Sequence, residues 1–331
     1  MATLKQLAAC FAMLCILTGC TSCGGGQSTV PTPPPPTRPN FDRSLAYSDI
    51  VTQCNFGPRN PGSTGHENCR VWLVNKLTAL ADSVVKQDFS AQTPLGGPYS
   101  FENIVGVFAS QATGSPLLLA AHWDTRPIAD EDPDAANRNT AILGANDGAS
   151  GVAVLLELAR HLKDNPPTRP VILAFVDAED SGLGSSAQPY MGFCIGSNHL
   201  ANNWPSSLPV PSEMILLDMV GADQRNNPRL QPTGAIGGPE FRLEQNSLNS
   251  NPSLMNRIWS AAETRGHTAF VRQSQGAITD DHKPFIDKGL PAVDIIHFAP
   301  AEWHTVDDTP ANCSAETLYQ VGDTLVSILW P

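Results

Sequence analysis

Val171-Ile172-Leu173-Ala174-Phe175-Val176-Asp177-Ala178-Glu179-Asp180-Ser181-Gly182 is the stretch on which the fold turns. Six apolar residues with no charge on either face read as a strand covered on both sides. The run stops abruptly at three acids, Asp177, Glu179 and Asp180. In an open α/β sheet, ligands bind just beyond the carboxyl ends of the strands. Three carboxylates there repel one another and are costly to hold unless a cation or proton compensates. A solvated acidic loop is the ordinary alternative.

Working outward, the same kind of pattern repeats. Leu117 to Ala121 is a second continuous apolar run, and it leads into His122-Trp123-Asp124. Met214 to Leu217 is a third, ending at Asp218, and Val293 to Phe298 reads as a further strand. Ser83 to Phe89 and Phe101 to Phe108 read as strands around a Gly-Pro turn. Between them, apolar stripes predict helices over His66 to Leu80, Asp147 to Leu162, Pro252 to Arg265 and Ala315 to Leu329. Strands alternating with helices imply an α/β layer architecture. Trp204 to Pro211 and Asp223 to Asn251 read as long insertions of the sort that often line a site.

The chain carries 20 Lys+Arg against 32 Asp+Glu, a net charge of −12 that argues against nucleic acid as a partner. Its 41% hydrophobic and 16% charged residues are those of a globular protein with a sizeable core. The first residues stand apart. Lys5 followed by the apolar Leu7 to Leu17 and by Leu17-Thr18-Gly19-Cys20 matches a bacterial lipoprotein signal over 1–19, with Cys20 the lipidated residue. A plain secretory signal is the alternative, and either predicts export. Residues 20–40, with Gly24-Gly25-Gly26 and Pro33-Pro34-Pro35-Pro36, read as a tether, which leaves 41–331 for the folded domain and a membrane contact through the lipid only. Cys54, Cys69, Cys194 and Cys313 lack metal-site spacing; disulfides are permitted, and their pairing stays open.

His122 and Asp124, Asp147, Glu179-Asp180, Asp218 and His304 all fall at strand ends, helix starts or a late loop. Carboxylates and imidazoles converging at one sheet edge are the oxygen and nitrogen ligands of Zn²⁺. On these residues the chain resembles the zinc aminopeptidase superfamily, peptidase family M28. The motifs are Ala121-His122-Trp123-Asp124, Gly144-Ala145-Asn146-Asp147-Gly148-Ala149-Ser150-Gly151, Glu179-Asp180, Leu217-Asp218 and His304-Thr305. The resemblance implies a single-domain α/β/α sandwich with a central mixed, mostly parallel sheet. Within it, Asp280-Asp281-His282-Lys283-Pro284-Phe285, Trp303 before His304, and Phe56-Gly57-Pro58-Arg59 with Pro61-Gly62-Ser63 are similar to the animal-type glutaminyl cyclases and their bacterial relatives.

That likeness implies one zinc per chain held by Asp147, Asp180 and His304, with Glu179 as proton shuttle. Asp218 and Asp280 would share its hydrogen-bond network, and Trp303 would wall the pocket. His122 and Asp124 are left as second-metal or structural residues. The implied reaction closes the N-terminal glutamine of a peptide or protein into pyroglutamate with loss of ammonia. A two-zinc aminopeptidase is the competing reading, and a catalytically dead binding module the third. There are departures. Asp180 stands where many relatives have Glu, and the loop from Ser181 to Phe193 lacks the animal enzymes' tryptophan, for which Tyr190 or Phe193 could substitute.

Overall fold

The chain is described from a computed structural model, over residues 37–184, 191–223, 238–298 and 300–331. Cys20, the tether up to residue 36, Tyr190 and much of the second insertion lie outside these residues. In chain order the elements are α1 (Arg43–Asn55), α2 (Thr64–Leu80), β1 (Ser83–Thr93), β2 (Gly96–Phe108), β3 (Leu117–His122), α3 (Ala149–Asp164), β4 (Val171–Val176), β5 (Asp180–Leu183) and β6 (Met191–Phe193). There follow α4 (Ile195–Asn202), β7 (Glu213–Asp218), β8 (Phe241–Leu243), α5 (Gln245–Ser250), α6 (Pro252–Arg265), β9 (Phe270–Ser274), α7 (His282–Asp287), β10 (Ala292–Ile296) and α8 (Ala315–Leu329).

The main sheet runs β1-β2-β4-β3-β7-β10. β4, β3, β7 and β10 are mutually parallel, and the β1–β2 hairpin joins β4 antiparallel at one edge. The apolar run of β4 is explained by its two faces. Val171, Leu173 and Phe175 pack into a core with α1, α2, α3, α6 and α8, while Ile172, Ala174 and Val176 face a smaller core with Leu200 of α4 and Phe285 of α7. Strands 117–122 and 213–218 alternate in the same way. The sheet is therefore covered on both sides, as an α/β/α sandwich.

Several expectations are corrected. β10 ends at Ile296, short of Phe298, and α3 begins two residues after Asp147. The stretch read as one insertion after Asp223 holds β8 and α5. All four described cysteines are buried free thiols. Among the described residues no helix is long and apolar enough to cross a membrane.

One polar cluster ties the last helix to the rest. The fully buried carboxylate of Asp323 in α8 accepts from Arg38, from Arg265 at 2.7 Å and from His267 at 2.8 Å. Burial alone would raise its pKa; the Arg265, His267 and Arg38 partners win, and hold it below the ordinary value. A depressed carboxylate stabilises the fold above its unfolded pKa of about 3.9, and that contribution fades as pH falls through the lower folded value. Asp323→Asn should therefore lower unfolding free energy by about 1.5–3 kcal/mol near neutrality, the scale of hydrogen bonds to a charged group. Denaturant melts should show the two proteins converging only in strong acid. A gap that is unchanged down to pH 2 would contradict this account.

Candidate active site

Parallel pairing sets the site. His122 ends β3 opposite Val176 at the end of β4, and Asp218 ends β7 opposite Ile296 at the end of β10. The carboxyl ends of four strands thus share one sheet edge. Asp147 reaches the same edge from the loop before α3, where Gly148 adopts φ +94°. A Cβ on Gly148 would lie 2.7 Å from the His122 ring and 2.8 Å from its carbonyl oxygen, so only glycine lets helix and strand approach this closely.

Buried carboxylates hold these backbones in place. Asp124 accepts from the amides of Glu179 at 3.0 Å and Asp180 at 3.1 Å, one on each oxygen. Asp308 does the same for Asn146 at 2.7 Å and Asp147 at 3.0 Å. Asp124 is accordingly a backbone clamp, and the structure does not bring it into a metal-binding group. Asp177, expected at the site with its neighbours, is turned away from it. Its carboxylate pairs with His66 at 2.9 Å and accepts from the Glu102 amide at 2.8 Å. Ala178 adopts a left-handed backbone, with φ +57°, and Glu179 and Asp180 do not continue β4; Asp180 opens β5 instead. Arg59, from the segment read as cyclase-like, is fully buried and donates to the carbonyls of Trp123, Leu143 and Gly144. It laces together the loops that carry His122 and Asp147.

The expected ligands converge. Asp147, Asp180 and His304 place donor atoms within 4.8 Å of one another, and so do His122, Asp147 and Asp218. His304 Nε2 lies 3.4 Å from Asp180 Oδ1 and 3.8 Å from Asp147 Oδ2. His122 Nε2 lies 3.1 Å from Asp147 and 3.2 Å from Asp218. Atoms held about 2.0–2.1 Å from one tetrahedral Zn²⁺ are roughly 3.3 Å apart, so either set fits an ion and Asp147 belongs to both. Asp180 Oδ2 is buried with no hydrogen-bond partner, as an oxygen reserved for a cation would be. Burial, with Asp147 adding repulsion, pushes Asp180 up to about 7 in spite of His304 and Arg126, which is the cost a bound cation removes.

Glu179 is half-buried on the wall of a cavity of about 410 Å³ that Asp147, Asp180, Asp218, Asp280, Trp303 and His304 also line. Its Oε1 takes the Cys194 thiol at 3.5 Å, and donor atoms of Glu179, Cys194 and Asp280 lie within 4.8 Å of one another. Burial first, then the charges of Asp180, Asp281 and Asp280, holds its pKa well above the ordinary range. Asp280 is raised well above its range by burial and by Asp218 and Asp281. The bonds that anchor these two acids are not to Glu179: Asp280 accepts from the Asp281 amide at 2.5 Å, and Asp218 pairs with His122.

Trp303 stacks on the His304 ring at 3.9 Å between centroids, and Phe298 packs on Trp303 at 5.7 Å. Phe193, offered as a substitute wall, does line the cavity. Residues not anticipated are Arg126, Asp130 and Asp308. Arg126 and Asp130 line the cavity too, and Arg126 donates to Asp180 at 3.0 Å. Arg126 stands two residues beyond a recognised motif, yet its partners Asp130 and Asp180 cannot be read from spacing.

Comparison with known proteins agrees with this geometry. The chain is 28% identical over 284 residues to the glutaminyl-peptide cyclotransferase of Bos taurus, covering 78% of this chain and 74% of that protein. It is similar to the crystal structure of Tannerella forsythia glutaminyl cyclase, with a TM-score of 0.80, 34% identity and coverage of 88% and 99%. It is also similar to the structure of a leucine aminopeptidase precursor from Bacteroides thetaiotaomicron, at a TM-score of 0.81, 32% identity and coverage of 89% and 99%. The model of Peptidase family M28 matches residues 103–329, and the chain belongs to that family of zinc enzymes.

Proposed function

We propose that the protein is a glutaminyl-peptide cyclotransferase, which converts an N-terminal glutamine to pyroglutamate and releases ammonia. The observation that carries this reading is the placement of Glu179, a carboxyl that burial and neighbouring acids hold well above its ordinary range, on a tryptophan-walled cavity beside Asp147, Asp180 and His304. Those three residues would hold one zinc per chain. When bound, the ion supplies Lewis-acid polarisation of a carbonyl.

The remaining work belongs to the side chains. The substrate's own α-amine forms the new C–N bond to its γ-carbonyl carbon, and the bond to the amide nitrogen breaks. Nucleophile and electrophile share one residue, so holding them at a productive angle supplies much of the rate. Trp303 and Phe298 bound the cavity and would orient that residue. Glu179 would take the amine's proton and return it to the leaving nitrogen. Burial first, then the neighbouring acids Asp180, Asp281 and Asp280, raise its affinity for that proton. Likeness to named glutaminyl cyclases supports the assignment.

A two-zinc aminopeptidase is the second reading, favoured by the ligand spacing of His122, Asp147 and Asp218 and by likeness to the leucine aminopeptidase precursor. The two separate on metal titration. Chelated protein incubated with a glutamine-initiated peptide should regain full ammonia release with one equivalent of zinc per chain. Release of free glutamine in place of ammonia, restored only with two equivalents, would move the assignment to the aminopeptidase.

A further inference from the structure

The Arg126 guanidinium is 1% exposed, and three of its donors are used. Nε and Nη2 grip the two oxygens of Asp130, each at 2.6 Å. Nη1 reaches Asp180 Oδ1 at 3.0 Å. Asp130 in turn faces the other side of the ligand set, with its Oδ1 3.4 Å from His304 Nδ1. One fork-to-fork ion pair therefore touches two of the three proposed ligands, at Asp180 Oδ1 and at His304 Nδ1. Asp180 keeps Oδ2 unpartnered, and His304 keeps Nε2 turned toward Asp147 and Asp180. A bidentate guanidinium–carboxylate pair is geometrically stiff, so it fixes orientation as well as charge.

We propose that Arg126 and Asp130 form a positioning clamp that presents Asp180 Oδ2 and His304 Nε2 to the zinc and sets how tightly it is held. This rests on the ligand set assigned above. The charges make the clamp distinctive. Together Arg126 and Asp130 are neutral and leave the site's balance unchanged. Asp130 alone removed, the guanidinium keeps only Asp180 and competes with zinc for it, while His304 loses the partner that fixes its ring. Partners in this outer layer are worth about 10–100-fold in metal affinity.

The experiment is zinc affinity, measured by competition with a chromophoric chelator on the full chain, for Asp130→Ala, Arg126→Ala and the double variant. Asp130→Ala should weaken zinc by about 10–100-fold. Adding Arg126→Ala should recover a large part of that loss, because the competing cation is gone. Asp130→Asn, which keeps the shape and drops the charge, serves if the alanine variant fails to fold, and should weaken zinc in the same direction. Losses that simply add in the double variant, or affinities within about threefold of wild type, would overturn the clamp. Asp180→Ala run alongside separates the premises: unchanged zinc affinity there would mean that the ligand set itself is wrong.

Discussion

Replacing Glu179 by Gln should lower kcat by roughly 10²–10⁴-fold while zinc content and KM stay close to wild type. Glutamine keeps the length of the side chain and an Oε1 that can still take the Cys194 thiol. What it loses is the ability to carry a proton from the attacking amine to the leaving nitrogen. The backbone amides of Glu179 and Asp180 are both gripped by Asp124, so the swap should leave the backbone at Asp180 in place. A loss seen in KM, or zinc lost together with activity, would mean that Glu179 binds the metal and does not shuttle protons.

Asp180→Ala should show the opposite signature, with zinc and activity lost together. Only Asp147 and His304 would remain of the first ligand set, and Arg126 would be left with an unpaired donor facing them. Dialysis followed by elemental analysis measures the zinc, and the activity should fall to background. Asp177→Ala is the control, because Asp177 lies three residues away and serves another purpose. It holds His66 and the Glu102 amide, so its loss should lower the melting temperature and leave zinc bound. Zinc retained in Asp180→Ala and lost in Asp177→Ala would reverse this assignment.

The contrast between those two acids shows where the sequence was readable. The buried strands were legible because β4, β3 and β7 are covered on both faces and so write continuous apolar runs. Four long helices were legible by their stripes, and α6 and α8 fall at the predicted bounds, but the 13-residue α1 was missed. Short elements carry too few residues for a period to show, so β5, β6, β8, β9, α4, α5 and the six-residue α7 were missed as well. Asp177 and Glu179 looked equivalent because what separates them is a left-handed backbone at Ala178, a residue with no turn chemistry of its own. Four of the five non-glycine residues with positive φ among those described, Ala178, Cys194, Met219 and His304, lie in or beside the site. Strain of this kind is imposed by the surrounding fold and leaves no local signature.

The residues that converge at the site were legible through motifs, whereas those that hold them in place were not. Asp124 and Asp308 act on backbone amides 55 and more than 160 residues away, and Arg126 acts on a carboxylate 54 residues away. Long-range partners of this type become visible only once the parallel strands have brought their ends together.

The products formed from a single peptide that begins with glutamine distinguish cyclisation from hydrolysis. Mass spectrometry of the zinc-loaded protein's reaction should show the full-length peptide lighter by one ammonia, with no free glutamine. Free glutamine and a peptide shortened by one residue would contradict the cyclase assignment and establish hydrolysis in its place.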